Sequence, residues 1–195
     1  MSATTRIWPT TDSAPAIEVR EESISGLREV GRIPIAFDVR SIYEVSGVPG
    51  AWRLIECALD RPYVKDYDAI PGESPRDWRK RFDVSGWSLL VARVGVERVG
   101  SVVISFDATG LAEIRDIRVS PAHRRRGVGT ALFAAAERKA RERGCAALEV
   151  ETQNVNVAAC DFYARNGCTL AKVEPFAYPE LPSEARLVWR KAFSS

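Results

Sequence analysis

Between Asp116 and Thr130 the chain runs Asp-Ile-Arg-Val-Ser-Pro-Ala-His-Arg-Arg-Arg-Gly-Val-Gly-Thr, and no other stretch restricts the possible folds so narrowly. A β-rich run ends at Val119. Pro121 cannot donate to a sheet ladder, and an Arg/Gly loop then feeds a helix expected from about Val128. Such a strand–loop–helix unit gathers bare backbone N–H groups around one point, where the positive end of the helix dipole favours an anion. Gly127 and Gly129 withhold side chains where a ligand would come close. No Gly-Lys-Ser/Thr follows, so this is not a mononucleotide P-loop, and the glycine spacing is not that of a dinucleotide fold. The expectation is a pyrophosphate cradle of another type.

A second unit follows. Asn156-Val-Ala-Ala-Cys-Asp-Phe-Tyr-Ala-Arg-Asn-Gly167 predicts a short helix entered through asparagines and stopped by Asn166-Gly167 in a left-handed turn. Asn156, Ala159 and Tyr163 recur at spacings of three and four, so they share one face. Around these units the patterning predicts strands at 33–45, 52–58, 87–94, 98–106, 112–119, 146–152, 168–174 and 184–193. A short charged helix is expected at 75–82. Val128, Leu132, Ala135, Ala136 and Ala140 form one apolar stripe of a longer helix ending near Gly144. Strands first and alternation later predict an α/β chain, a mixed sheet with helices packed on its faces. Residues 1–30, of which Met1 to Gly26 are rich in Ser, Thr, Pro and Glu, are expected to be a loose tail, and 31–195 a single domain.

At 46% hydrophobic over 195 residues the chain can bury a sizeable core. No apolar run approaches the roughly 20 residues that span a membrane, and the N-terminus has no apolar signal core, so a cytoplasmic protein without a membrane partner is expected. Net charge is only +2, with acids and bases interspersed, which gives no sign of a nucleic-acid partner. One histidine, His123, and four cysteines without paired spacing offer little material for a metal site or a Ser/His/Asp triad. The cysteines are expected to act as small hydrophobes and His123 as a solvated loop residue.

The two units together resemble the GNAT family of acetyl-CoA-dependent N-acetyltransferases. The family signature, Arg/Gln-x-x-Gly-x-Gly/Ala after a strand and a proline, is met by Ile117-Arg-Val-Ser-Pro121 leading into Arg124-x-x-Gly127-x-Gly129. Its downstream Asn-x-x-Ala-x-x-Phe-Tyr-x-x-x-Gly pattern is met from Asn156 to Gly167. Three further strings are similar to streptothricin acetyltransferases: Pro62-Tyr-Val-Lys-Asp-Tyr-Asp68, Glu151-Thr-Gln-Asn-Val-Asn156, and Phe176-Ala-Tyr178 with Arg186-Leu-Val-Trp189. The likeness spans roughly residues 33–193.

The resemblance implies a mostly antiparallel sheet splayed between two parallel strands, those of 112–119 and 146–152, with the acyl chain in the wedge. It implies acetyl-CoA as cosubstrate, a small-molecule amine as partner, and no metal. Main-chain groups of Ile117, Arg118 and Val119 would pair with the pantetheine arm. Arg124, Arg125, Arg126, Gly127, Val128, Gly129 and Thr130 would meet the pyrophosphate, with Asn156, Ala159 and Phe162 beside the cofactor. Tyr163 would protonate the departing thiolate, although a helix tyrosine filling the core fits the residues as well. An ammonium with a pKa near 10.4 costs about 4–5 kcal/mol to deprotonate at pH 7, and Asp116 or Glu113 is the expected acceptor. These two lie three apart, so in a regular strand they face opposite ways, Asp116 beside the pantetheine-pairing residues. The alternative for either is a salt bridge to Arg115 or Arg118. Tyr63, Asp66, Tyr67 and Asp68, with Glu73 nearby, form the expected amine-recognition loop, since carboxylates beside aromatic rings suit cations. Trp52 and Trp87 stand as candidate pocket walls or core residues. Two other activities share these features: a protein N-terminal or lysine acetyltransferase, and a coenzyme A-binding regulatory module without catalysis. Nothing in the sequence decides for or against a homodimer.

Overall fold

The structure, a computed structural model, describes residues 16–193. Nine strands and four α-helices follow in chain order: β1 (Ile17–Glu22), α1 (Leu27–Val30), β2 (Phe37–Ser46), β3 (Arg53–Lys65), α2 (Trp78–Arg81), β4 (Ser88–Val94), β5 (Glu97–Phe106), β6 (Leu111–Val119), α3 (Val128–Glu142), β7 (Ala147–Gln153), α4 (Val157–Arg165), β8 (Thr169–Glu174) and β9 (Arg186–Ala192). Seven strands make one sheet in the order β1-β4-β5-β6-β7-β9-β8, and β2 and β3 form a separate two-stranded ribbon.

Among the described residues only β6 and β7 pair in parallel, and they stay paired just from Leu111–Ile114 to Ala147–Val150. Beyond Ile114 and Val150 the strands pair with other neighbours but no longer with each other, so the expected splay lies there. α3 covers one face. Its stripe of Val128, Leu132, Ala135, Ala136 and Ala140 is buried as the periodicity requires, joined by Phe133. The other face is closed by Leu27 and Val30 of α1, by Trp78 and by Val84, which pack on Leu89, Val91 and Val103. Both long helices end in the same hydrogen-bonded stop. Gly144 and Gly167 take φ of +74° and +82°, while Cys145 N–H reaches the Ala140 carbonyl and Cys168 N–H that of Tyr163, each at 3.0 Å.

Four expectations change. Residues 17–30 are not a loose tail: β1 pairs antiparallel with β4 from Ile17 to Glu22, and Leu27 and Val30 are almost wholly buried. The alternation Ile17-x-Val19 and the spacing of Leu27 and Val30 carry the apolar contacts, whereas the polar residues around them dominate the composition. Residues 1–15 of that tail lie outside the described residues. The strand expected at 33–45 starts only at Phe37, and the short piece at 52–58 extends to Lys65, through Pro62. Pro62 is tolerated because Leu59–Pro62 bulge out between the paired residues Ala58 and Tyr63, where no ladder bond is needed. The helix expected at 75–82 shrinks to the single turn of α2, anchored by Trp78, whose indole N–H donates to the Glu73 carbonyl at 2.9 Å.

Candidate active site

The loop between β6 and α3 has the backbone shape of an anion cradle. Arg125 takes φ of +63° and Gly127 +86°, so left-handed residues alternate with right-handed or extended ones ahead of α3. The helix start is left with bare N–H groups: no side chain caps it, and its N-cap residue is Gly127 itself. This geometry fits the pyrophosphate of coenzyme A. Arg125 and Arg126 are exposed there.

Two loop residues also have partners within the protein. The Arg124 guanidinium donates to the carbonyls of Val119, Pro34 and Ala36 at 3.1–3.3 Å, so it clamps the loop to the segment before β2 rather than reaching toward a phosphate. Gly129 is small for an internal reason. A Cβ built there would stand 3.3 Å from Phe162 Cε2, so the ring of α4 occupies the space that the glycine leaves free. Phe162 in turn stacks edge-on with Phe133 at 5.9 Å and with Tyr163 at 5.3 Å. The two sequence units thus join through one aromatic brace. Asn156 acts as the helix cap, accepting from Ala159 N–H at 3.2 Å, and Ala159 packs on the core. Tyr163 is 4% exposed, and burial pushes its phenol above the ordinary value of 10.

On β6 the regular alternation fails at one point. Val103 pairs with Asp116 but Ile104 pairs with Ile114, which leaves Arg115 as an extra residue in a bulge. Glu113 opposes Ser105 and Asp116 opposes Val103, two positions apart on β5, so the two carboxylates face the same way and not opposite ways. Neither is free. Glu113 accepts from Arg115 at 2.8 Å, and Arg115 lies over the rings of Phe82 and Trp87. Asp116 receives Arg118 Nε at 2.8 Å and Nη2 at 2.5 Å. Burial raises the Asp116 carboxyl above its ordinary range while Arg118 pulls it down.

The Arg118 side chain points away from α3 and toward the turn after β3, where it also meets Asp68 at 2.8 and 3.2 Å. Asp68, placed by the sequence in the amine-recognition loop, is therefore already paired to Arg118. Asp66 is exposed and accepts the Asp68 N–H at 3.0 Å. Tyr67 donates to Glu184 at 3.2 Å, and Lys65 pairs with the same carboxylate while lying 5.0 Å from the Tyr67 ring centroid. Tyr63 stands close enough for Glu184 to help raise its phenol, after burial. Alongside, the Tyr178 hydroxyl donates to Glu151 at 2.6 Å and accepts from Gln153 at 2.9 Å. Glu151 is the first residue of β7 after the strands part.

The three strings that lie apart in sequence converge here, and Glu184, 3% exposed at their centre, had no local signal to reveal it. The same is true of Asn154, whose amide spans from the Tyr43 carbonyl to the Ala185 N–H and so ties the ribbon to the sheet. Trp87 packs in the core opposite α3, edge-on to Trp78, and Trp52 packs against the larger core cluster that α3 and α4 share. Among the described residues there is no group of three metal-ligating side chains and no helix long and apolar enough to cross a membrane.

A splayed β6/β7 pair, an uncapped start of α3 after left-handed turns and a buried tyrosine on α4 fit an acyl-coenzyme A-dependent transferase. The acetyltransferase (GNAT) family profile matches residues 52–168, and the chain belongs to that family: it is an acetyl-CoA-dependent N-acetyltransferase. Within it the chain is similar to the streptothricin acetyltransferase of Escherichia coli, 35% identical over 156 residues, covering 78% of this chain and 83% of that protein. It is also similar to streptothricin acetyltransferase A of Bacillus subtilis strain 168, 30% identical over 146 residues, 74% and 82% of the two chains. A solved structure of a candidate streptothricin acetyltransferase from Bacillus anthracis, in complex with acetyl coenzyme A, has the same fold, with a TM-score of 0.76 and 24% identity over 93% of this chain and all of that one.

Proposed function

We propose that this acetyltransferase modifies a primary amine of a cationic small molecule, a streptothricin-type antibiotic first among them. The observation that carries the reading is the acid–aromatic wall beside the splay, where Tyr63, Tyr67 and Tyr178 surround Glu184 and Glu151, which Lys65 and Arg186 already pair, and where Asp66 next to Tyr67 stays exposed. Carboxylates framed by phenol rings suit an ammonium group through charge and ring quadrupole together. The named activity of the two relatives supports the same choice.

When bound, acetyl-CoA supplies the acetyl group as an activated thioester. In this proposal Arg125, Arg126 and the N–H groups of Gly127–Thr130 hold the pyrophosphate, and the main chain of Ile117–Val119 aligns the pantetheine and polarises the thioester carbonyl. Tyr163 delivers a proton at the sulfur. Transfer is direct, because the cysteines are poor nucleophiles: burial pushes Cys160 up to about 12 and Cys168 up to about 11, so both stay protonated near neutrality. With Asp116 held by Arg118 and Glu113 by Arg115, the amine gives up its proton to solvent before attack.

The test is thiol release from acetyl-CoA across streptothricins, aminoglycosides, polyamines and peptides. Turnover concentrated on streptothricins is expected. Turnover on peptides alone would make this a protein acetyltransferase, and acetyl-CoA binding without turnover on any amine would make it a regulatory module.

A further inference from the structure

Arg118 is 3% exposed, yet every N–H of its guanidinium is used. Nε donates to Asp116, Nη2 to Asp116 and Asp68, and Nη1 to Asp68 at 2.8 Å and to the Ile33 carbonyl at 2.9 Å. One side chain therefore joins three segments: the central strand β6, the turn after β3, and the stretch leading into β2. The β2–β3 ribbon shares no ladder with the main sheet. Away from the Tyr67–Asp68 end it is tied at Tyr43, which exchanges main-chain and side-chain bonds with Asn154 and donates its hydroxyl to Asp161 at 2.6 Å. At the Tyr67–Asp68 end, Arg118 is the link to β6, and Lys65 and Tyr67 give the link to Glu184.

We propose that Arg118 is a positioning residue that sets the amine-recognition turn against the strand presenting the acetyl group. This rests on the reading of that turn as the amine side. The guanidinium fork matches two carboxylates in fixed planes, which a lysine cannot reproduce. Because one guanidinium serves Asp68 and Asp116, the cluster keeps one unit of negative charge when both are ionised. An arriving ammonium thus meets a rigid, anionic support rather than a flexible loop.

Asp68→Asn and Arg118→Lys test this, with wild type alongside. Each is expected to raise KM for the preferred amine by about tenfold or more, as a buried, charge-assisted contact is lost. The expected kcat stays within about threefold and the acetyl-CoA Kd within about twofold, because the phosphate loop is untouched. Amide hydrogen exchange over Tyr67–Ile70 should accelerate at least about tenfold while β4 and β5 keep their protection. Arg118→Met would strand two buried carboxylates and endanger folding, so the Asp68→Asn variant carries the decision. Unchanged exchange in the turn would overturn the inference whatever the substrate proves to be. So would a KM for the amine equal to wild type, or equal losses toward both substrates. A wild-type enzyme inactive on every amine would instead refute the functional reading, leaving the exchange result to judge Arg118.

Discussion

Removing the hydroxyl of Tyr163 isolates the proton-donor role. In Tyr163→Phe the ring stays, stacked 5.3 Å from Phe162 and 6.3 Å from Phe133. No protein hydrogen bond contributes to the raised phenol pKa, so among the described residues the change orphans no partner. Stability should therefore move by no more than about 1 kcal/mol. The rate is another matter. A phenol lifted above 10 must protonate a thiolate whose acid has a pKa near 8.5, a transfer uphill by at least about 2 kcal/mol. Without the donor, the thiolate would have to leave unprotonated from a site that water barely enters, which costs more. A positioned general acid contributes typically 10²–10⁴-fold, about 2.7–5.5 kcal/mol. We expect kcat to fall within that range while the acetyl-CoA Kd changes by less than about twofold, since loop 124–130 is intact. Steady-state thiol release gives the first quantity and calorimetry the second. Because burial keeps the phenol protonated, wild type should also show no alkaline loss of its acid below about pH 10. A Phe variant with kcat within about threefold of wild type would return Tyr163 to a purely packing role.

Arg125→Ala and Arg126→Ala should each weaken acetyl-CoA binding by roughly 3–10-fold at low salt and by less at high salt, as exposed charges are screened; calorimetry at two ionic strengths checks this, and a salt-independent loss would contradict it. Leu27→Ala, at a residue 1% exposed, should cost about 2–5 kcal/mol in denaturant unfolding, whereas a loose tail would give almost nothing. If solvent takes the amine's proton, kcat/KM should climb about tenfold per pH unit below the amine pKa, because the free-base fraction does. A plateau beginning near pH 7 would reveal an enzymatic base, and its loss in Asp116→Asn would identify that base.

Much of the site was legible because it is local. The side-chain-free loop at Gly127, the apolar stripe of α3, the cap at Asn156 and the stop at Gly167 each depend on residues a few positions apart. Their spacings therefore carry the structure directly. The tail was misread for the opposite reason. Its polar composition hides the apolar residues Ile17, Val19, Ile24, Leu27 and Val30, and their worth appears only when β4 and the sheet are there to pack on.

The side-chain roles on β6 show the same boundary more sharply. A period of two is a property of an ideal strand, and one bulged residue, Arg115, is enough to turn Glu113 and Asp116 to the same face. Whether a carboxylate is a base, a tether or an ion-pair partner depends on what stands opposite it. For Asp116 and Asp68 that is Arg118, 50 residues from Asp68 in sequence. Glu184 finds Lys65 and Tyr67 across 119 and 117 residues. The sequence by itself determined the family, the cosubstrate and the backbone cradle, since these rest on short-range geometry and main-chain donors. Tertiary structure decided which charges are free and which are spent, because pairing and desolvation are set by neighbours that only the fold brings within hydrogen-bond reach.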